Sequence, residues 1–391
     1  MRVVHLELTD FRNYESVAVD FVGGPNLFVG SNGQGKTNLV ESLGYLSTLG
    51  SHRVPSDHAM IRQGRESAVV RAKLEHDGRP LLAEVQINRT GTNRAQINRS
   101  AIKTRELPRY FSSVLFAPED LAIVRGDPSG RRRFVDALLA LRTPRFHAIF
   151  ADYDRVLKQR NTLLKTARAS GLKADRLATL DIWDDRLVEF GAQIVAGRAE
   201  LIADILPDVT AAYLAVAGAD HHATLRSELS ILGTPAGVDS IPSARDMDRT
   251  ESVTSISVEA ASESFRSSLL GVRRAELDRA LTLVGPHRDD VMLELNGMPA
   301  RGYASHGESW SFALALKLAS AQLLRRESST GDPVVILDDV FAELDTSRRA
   351  RLAASVIDFE QTLITAAVLD DVPAELTGHT TRISAGKVVP L

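Results

Sequence analysis

Gly30-Ser31-Asn32-Gly33-Gln34-Gly35-Lys36-Thr37 has the residue types and spacing of a phosphate cradle, G-x-x-x-x-G-K-[ST]. The glycines let backbone N–H groups curl around phosphate oxygens, and the N-terminus of the following helix, with Asn38 in its first turn, adds partial positive charge. Lys36 reaches the β and γ phosphates, and the Thr37 hydroxyl suits Mg²⁺. The alternative is a glycine turn that only caps a helix. Far downstream, the uncharged run Pro333-Val334-Val335-Ile336-Leu337 ends in Asp338-Asp339. A carboxylate at the C-terminal end of a parallel strand beside such a loop holds Mg²⁺ through water, which assigns Asp338 to the metal. Asp339 then stands where it can orient or deprotonate an attacking water. Lys36, Asp338 and Asp339 are therefore the expected catalytic set, against the plainer reading of two aspartates ending a strand at a turn.

Such groups need a strand before the loop and a helix after it. Leu27-Phe28-Val29 supplies the first, and Leu39, Leu43, Leu46 and Leu49 predict a helix from about Lys36 to Gly50. Leu6 and Leu8, then Val17, Val19 and Phe21, alternate in the strand period. Residues 67–103 resume it around an Asp77-Gly78 turn, so residues 1–103 are expected to form one mixed sheet. Lys36 and Asp338 lie roughly 300 residues apart, far more than a compact phosphate-loop domain needs, so the intervening chain must leave the sheet and return. Phe146, Ile149, Phe150, Tyr153, Leu157 and Leu164 form one helical stripe, and Trp183, Leu187, Phe190, Ile194, Leu201 and Ile205 another, which predicts a helical hairpin. Residues 233–264, with Pro235, Pro242 and many serines, read as a poorly ordered or variable surface segment. The expected organisation is an α/β head of mixed sheets and flanking helices over 1–127 and 265–391, with an inserted, mainly helical lobe over 128–264.

The 391 residues, 44% hydrophobic and 25% charged, suffice for two lobes and exclude wholesale disorder. Absent cysteine excludes disulfides and thiolate chemistry. No run approaches the apolar length of a membrane span, and charges follow Met1-Arg2-Val3-Val4-His5 closely, so the chain reads as untargeted and cytoplasmic. The net charge of -3 conceals sorting along the chain. Residues 53–109 carry 12 Lys and Arg against 6 Asp and Glu, residues 125–176 carry 13 against 5, and residues 177–264 carry 5 against 15. Arg53, Arg89, Arg94, Arg99 and Lys103 of the first stretch are candidate contacts for phosphate groups, though a basic stretch can be only a solvated face. The second stretch, with Lys158, Arg160 and Lys165, is the rival site, its field opposed by the acidic segment that follows.

Ser305-His306-Gly307-Glu308-Ser309 opens a helix marked by Phe312, Leu316, Ala319 and Leu323. It resembles the signature motif of ABC-type ATPases, and Asp345 in Ala342-Glu343-Leu344-Asp345 resembles their D-loop. That resemblance implies two heads sandwiching two ATP molecules, with Ser305, Gly307 and Glu308 of one copy capping the γ-phosphate on the other's cradle. Further strings are Phe11-Arg12-Asn13-Tyr14, Pro128-Ser129-Gly130-Arg131-Arg132-Arg133-Phe134, Gly285-Pro286-His287-Arg288-Asp289-Asp290, and the run from Leu337 to Asp345. Together with the cradle they closely resemble the bacterial RecF family of recombination mediators, in order along the chain, with about 219–264 unassigned. The resemblance implies an SMC-like head with a short helical lobe, an ATP-dependent homodimer, and binding to gapped DNA or duplex–single-strand junctions. It further implies slow ATP hydrolysis, and cooperation with RecR and RecO to load RecA at gaps.

Two departures stand out. That family's pattern has an arginine where this chain has Trp310, and transporter-type ATPases have a histidine where it reads Leu363-Ile364-Thr365-Ala366, so Thr365 stands in for it. Pro118-Glu119-Asp120 occupies the Q-loop place. Arg12 and Asn13 either reach the nucleotide or cap a turn, and His287 is either a buried hydrogen-bonding residue or a catalytic one. The competing readings are a transporter's nucleotide-binding subunit and a structural SMC-like tether; the tether would need long coiled-coil arms that these helical stripes are too short to supply.

Overall fold

Val3, Leu6 and Leu8 are all buried although they do not share one parity, because a register shift between Val3 and His5 places a bulge in strand β1 (Arg2–Phe11). β1 pairs antiparallel with β2 (Tyr14–Asp20) and with β4 (Ser67–His76). β5 (Arg79–Asn88), β6 (Arg94–Ile97) and β7 (Ser100–Ile102) extend this sheet in the order β2-β1-β4-β5-β6-β7. The expected single mixed sheet is corrected here, because β3 (Gly24–Val29) leaves it. Asn26, Leu27 and Phe28 are buried in succession, as suits a strand covered on both faces. β3 sits inside a second sheet, β15-β14-β3-β13-β12-β8, with β8 (Ser113–Phe116), β12 (Val334–Asp338), β13 (Gln361–Ala366), β14 (Thr380–Ser384) and β15 (Lys387–Pro390). All its pairings are parallel except β14 with β15. Helix α1 (Lys36–Thr48) follows β3 and buries Leu39, Leu43 and Leu46.

The computed structural model describes residues 1–171, 178–219, 221–233, 255–328 and 331–390. The chain divides into two units, the first comprising Met1–Ala122, Asp208–His221 and Ser305–Leu391, the second Ile123–Pro207 and His222–Ala304. The first holds both large sheets, α1, α8 (His306–Glu327) and α9 (Thr346–Val356). The short α2 (Leu121–Arg125), whose first two residues count with the first unit, leads in the second to α3 (Pro128–Arg142), α4 (Phe146–Ala169), α5 (Ala178–Ala217) and α6 (Val258–Arg279). α5 continues past the division, its last turns from Asp208 counting with the first unit.

These boundaries correct the expected domain limits. Residues 265–304 belong to the second unit. There, Phe265 and Leu269 share a core with Tyr153 and Leu187, so the expected hairpin is a three-helix packing of α4, α5 and α6. The strand period of Val291, Leu293 and Leu295 and the Asn296-Gly297 turn form β10 (Asp290–Leu295) and β11 (Met298–Pro299), which make a small sheet with β9 (Thr224–Glu228), a strand the helical reading did not include, and α7 (Ala300–Tyr303) follows. Residues 208–221 join the first unit, where Tyr213 meets Phe312 edge-on at 5.8 Å and Arg326 pairs with Asp208 at 2.9 Å. Within the polar segment, the Ser257 side chain caps α6 by accepting from the Ala260 N–H, and residues 234–254, with Pro235 and Pro242, lie outside the described residues.

The two motif strings of the second unit hold each other. Arg131 forks onto Asp290 at 2.8 and 2.7 Å, Arg132 donates to the Asp289 carbonyl at 2.6 Å, and Arg198 donates to the Pro286 carbonyl at 2.7 Å. His287 is a half-buried hydrogen-bonding residue between the Tyr153 hydroxyl and the Thr282 carbonyl, and desolvation of its ring pushes its pKa down to about 3. Arg160 is not a surface cation: it is fully buried, donating to Asp184 at 2.7 Å and Glu276 at 2.6 Å. Among the described residues no helix is long and apolar enough to cross a membrane.

Candidate nucleotide and signature site

The cradle runs from the end of β3 into α1, and backbone from elsewhere comes close to it. A Cβ on Gly30 would lie 2.2 Å from the Ile383 carbonyl oxygen of β14, and one on Gly35, at φ +116, would lie 2.7 Å from the Tyr14 hydroxyl. That hydroxyl donates to the Gly35 carbonyl at 3.0 Å. Asn13 Nδ2 donates to the Gln34 carbonyl at 3.3 Å, and Asn38 donates to Asn13 at 2.8 Å. The backbone N–H groups of Gly386 and Ala385 donate to Gln34. Asn13 and Tyr14 thus brace the loop from outside. Arg12 does not reach it: its guanidinium forks onto buried Glu41 of α1 at 2.9 and 2.6 Å and donates to the Ala59 carbonyl.

Lys36 is buried, its Nζ 3.5 Å from the Ser31 carbonyl and 3.9 Å from Asp339 Oδ2. The Thr37 hydroxyl donates to Asp338 Oδ1 at 3.0 Å, joining the two distant motifs in one place. Thr365 donates to the same oxygen at 2.6 Å and accepts from the Asp339 N–H at 3.0 Å, which accounts for a hydroxyl at that position. Burial pushes the Asp338 carboxyl up to about 6; the Thr365 and Thr37 hydroxyls oppose the rise, and the neighbouring charges of Asp339 and Glu119 add to it. Asp339 is held at φ +52, and its Oδ1 is buried without a hydrogen-bond partner.

Sequence reasoning missed His52, whose Nε2 lies 3.9 Å from Asp338 Oδ2 and whose pKa burial lowers. Nothing in its local spacing marks it; Glu41 places it, by accepting from the neighbouring Ser51 hydroxyl. At the Q-loop place, Asp120 is bound to the Ala117 N–H and to Lys317, while Glu119 adds negative charge felt by Asp338 and His52.

A divalent cation fits the donor set. Asp338 is a buried carboxylate held above its ordinary range, and Thr37 offers a hydroxyl, both hard oxygen ligands. Among the described residues no group of three or more His, Asp or Glu could hold a metal alone, so a cation here would complete its shell from phosphates and water.

The signature residues are built separately, at the start of α8. Ser305 accepts from the Glu308 N–H at 3.2 Å, and the Glu308 carboxylate accepts from the Ser305 N–H at 2.7 Å, a reciprocal cap that holds Glu308 below the usual carboxylate range. His221 lies 3.5 Å from Glu308 and is hydrogen-bonded to the Tyr213 hydroxyl. Trp310 is buried in the core. Asp345 caps α9 by accepting from the Arg348 N–H at 2.9 Å.

The basic candidates do not form one group. Arg94, Arg99 and Lys103 are exposed on and beside the β6–β7 hairpin at the sheet edge, where Asn98 and Arg99 both take positive φ to make its turn. Arg89 is half-buried and donates to the Arg65 carbonyl, while exposed Arg53 donates to Asn38 beside the cradle.

A mostly parallel sheet in which β3 feeds a phosphate loop, and in which β12, one strand beyond β13, ends in the paired carboxylates, defines an ABC-type ATPase head. Residues 2–380 match the family described as RecF/RecN/SMC N terminal domain. The chain is 64% identical over its whole length to the DNA replication and repair protein RecF of Leifsonia xyli subsp. xyli, covering 99% of that protein. It is 63% identical to that of Clavibacter sepedonicus, covering 95% of it. A solved structure described as the recombination mediator protein RecF with ATPrS in the RecFOR pathway aligns over 100% of this chain and 98% of its own, at 26% identity and TM-score 0.86. The chain belongs to the RecF family.

Proposed function

We propose that this protein is an ATP-gated DNA clamp of replication and recombinational repair. The observation that carries the reading is the 3.0 Å bond from Thr37 to Asp338, which makes one site of the cradle and the paired carboxylates, in a chain alike over its full length to proteins named RecF. Relatives solved as RecF-ATP and RecF-ATPrS support ATP as the nucleotide.

Backbone N–H groups from Gly30 to Thr37 bind the phosphates, Lys36 neutralises the β and γ groups, and Thr37 and Asp338 would hold Mg²⁺, which when bound screens the phosphate charge. Asp339, with one oxygen unpartnered, orients the attacking water and accepts its proton. Ser305 and Gly307 of a second copy cap the γ-phosphate at the α8 N-terminus. Glu308 acts by locking Ser305, since its own carboxylate would repel phosphate. Two copies so joined close on DNA at gaps and duplex–single-strand junctions. Arg89, Arg94, Arg99 and Lys103 lie against the backbone, and Arg53 sits nearer the nucleotide. Hydrolysis is slow, DNA-dependent and regulatory, and releases the clamp after RecR and RecO have helped to load RecA in the cytoplasm.

Gel filtration with ATP, with and without gapped duplex DNA, tests this. A dimer that needs ATP and retains the gapped DNA is expected. A monomer under all these conditions overturns the clamp.

A further inference from the structure

We propose that Arg348 is a positioning residue that ties Asp345 to the signature helix, so that Ser305, Gly307 and Asp345 meet a second copy as one rigid surface. This rests on the reading that copies pair through the signature. The Arg348 side chain leaves the first turn of α9 and bridges to α8. Its Nη1 donates to Asp345 Oδ2 at 2.6 Å and its Nε to the Ser311 hydroxyl at 3.2 Å. Both terminal nitrogens lie 3.0 Å from where a Cβ on Gly307 would stand. Gly307 and Ser311 are four residues apart on one face of α8, so the guanidinium lies along that face, over the residue without a side chain. In this chain the glycine of the signature makes room for an arginine of the same copy.

The charge of Arg348 also helps keep both Asp345 and Glu308 ionised. It thereby steadies the caps of the two helices that would present Asp345 and Ser305. The helix has no cation of its own at Trp310, whose side chain is committed to the core. A planar fork can bond Asp345 and Ser311 together; a lysine ammonium keeps the charge but not that geometry.

The test compares wild type with Arg348→Met, Arg348→Lys, Ser311→Ala and Ser305→Arg by sedimentation with ATP. Each variant's urea midpoint and its affinity for a fluorescent ATP analogue as a dilute monomer are measured alongside. Arg348→Met and Arg348→Lys should keep monomer nucleotide affinity within about twofold, yet weaken the ATP dimer at least about tenfold, about 1.4 kcal/mol. Ser311→Ala should weaken it less, and Ser305→Arg should abolish it. Dimerisation of Arg348→Met at wild-type strength while Ser305→Arg fails would overturn the positioning role and leave the interface reading standing. Full rescue by Arg348→Lys would show that charge alone matters and also overturn it. A Ser305→Arg protein that dimerises normally would remove the interface reading, and the role of Arg348 with it.

Discussion

Asp338→Asn should stabilise the nucleotide-free protein at neutral pH while removing its response to Mg²⁺ and ATP. Burial raises the carboxyl from 3.8 to about 6 in the folded chain, and unfolding returns it to its ordinary value. Between those values the folded state holds the extra proton, so stability falls as pH rises through that window. The penalty is absent below about pH 4 and complete above about pH 6. Two units at about 1.36 kcal/mol each set an upper bound near 3 kcal/mol. Asparagine cannot ionise, yet keeps an oxygen for the Thr37 and Thr365 hydroxyls, which bond Oδ1 at 3.0 and 2.6 Å. The variant should therefore gain about 1–3 kcal/mol at pH 7.5 and nothing at pH 4. Urea unfolding in EDTA, followed through buried Trp310, measures both. Adding Mg²⁺ and ATP should then stabilise wild type, by mass action, and leave the variant unmoved. A variant no more stable than wild type at pH 7.5, or one with the same gain at both pH values, would refute the idea that the fold holds an uncompensated carboxylate for a cation.

Lys36→Ala should abolish ATP binding, and ATP-dependent DNA binding with it; wild-type affinity in equilibrium dialysis would remove the cradle assignment. Asp339→Asn should bind ATP normally, hydrolyse it at least about a hundredfold more slowly and accumulate the dimer, and unchanged single-turnover rates would place the water elsewhere. Reversing Arg89, Arg94 and Arg99 together to glutamate should weaken binding to all duplex sequences alike, the slope against log salt falling by about 0.9 per lost phosphate contact. The matched control reverses exposed Lys158, Lys165 and Arg168, because Arg160 is buried in an ion network. Greater loss in the control would move the DNA to the second unit.

The strand, loop and helix of the proposed cradle were legible because their signals are local: β3, the glycine loop and α1 follow one another in the chain. The same holds for β12, whose uncharged run could only be a buried strand. What was illegible depends on partners distant in sequence. β3 reads like the strands before it, and only pairing with β13 and β14 shows that it belongs to another sheet. Residues 265–304 carry ordinary helix and strand periods; their unit is decided by Phe265 packing near Tyr153 and by Arg131 meeting Asp290. His52 and Arg348 gain meaning from Asp338 and Gly307, which no spacing rule brings to them. Arg160 has the sequence surroundings of a surface cation, and only Glu276, 116 residues away, makes it a buried one.

The central place of β3 sets a timetable for synthesis. Both its neighbours, β13 and β14, come from the last residues of the chain, as does the Ile383 carbonyl that packs on Gly30. At roughly 5–20 residues per second, a ribosome needs about 15–70 seconds after making the cradle before it makes the strands that flank it. During that interval an apolar strand with both edges open must be shielded, and no ATP site exists to stabilise the nascent chain. The antiparallel sheet of β1, β2 and β4 to β7, all made by Ile102, can form while it waits.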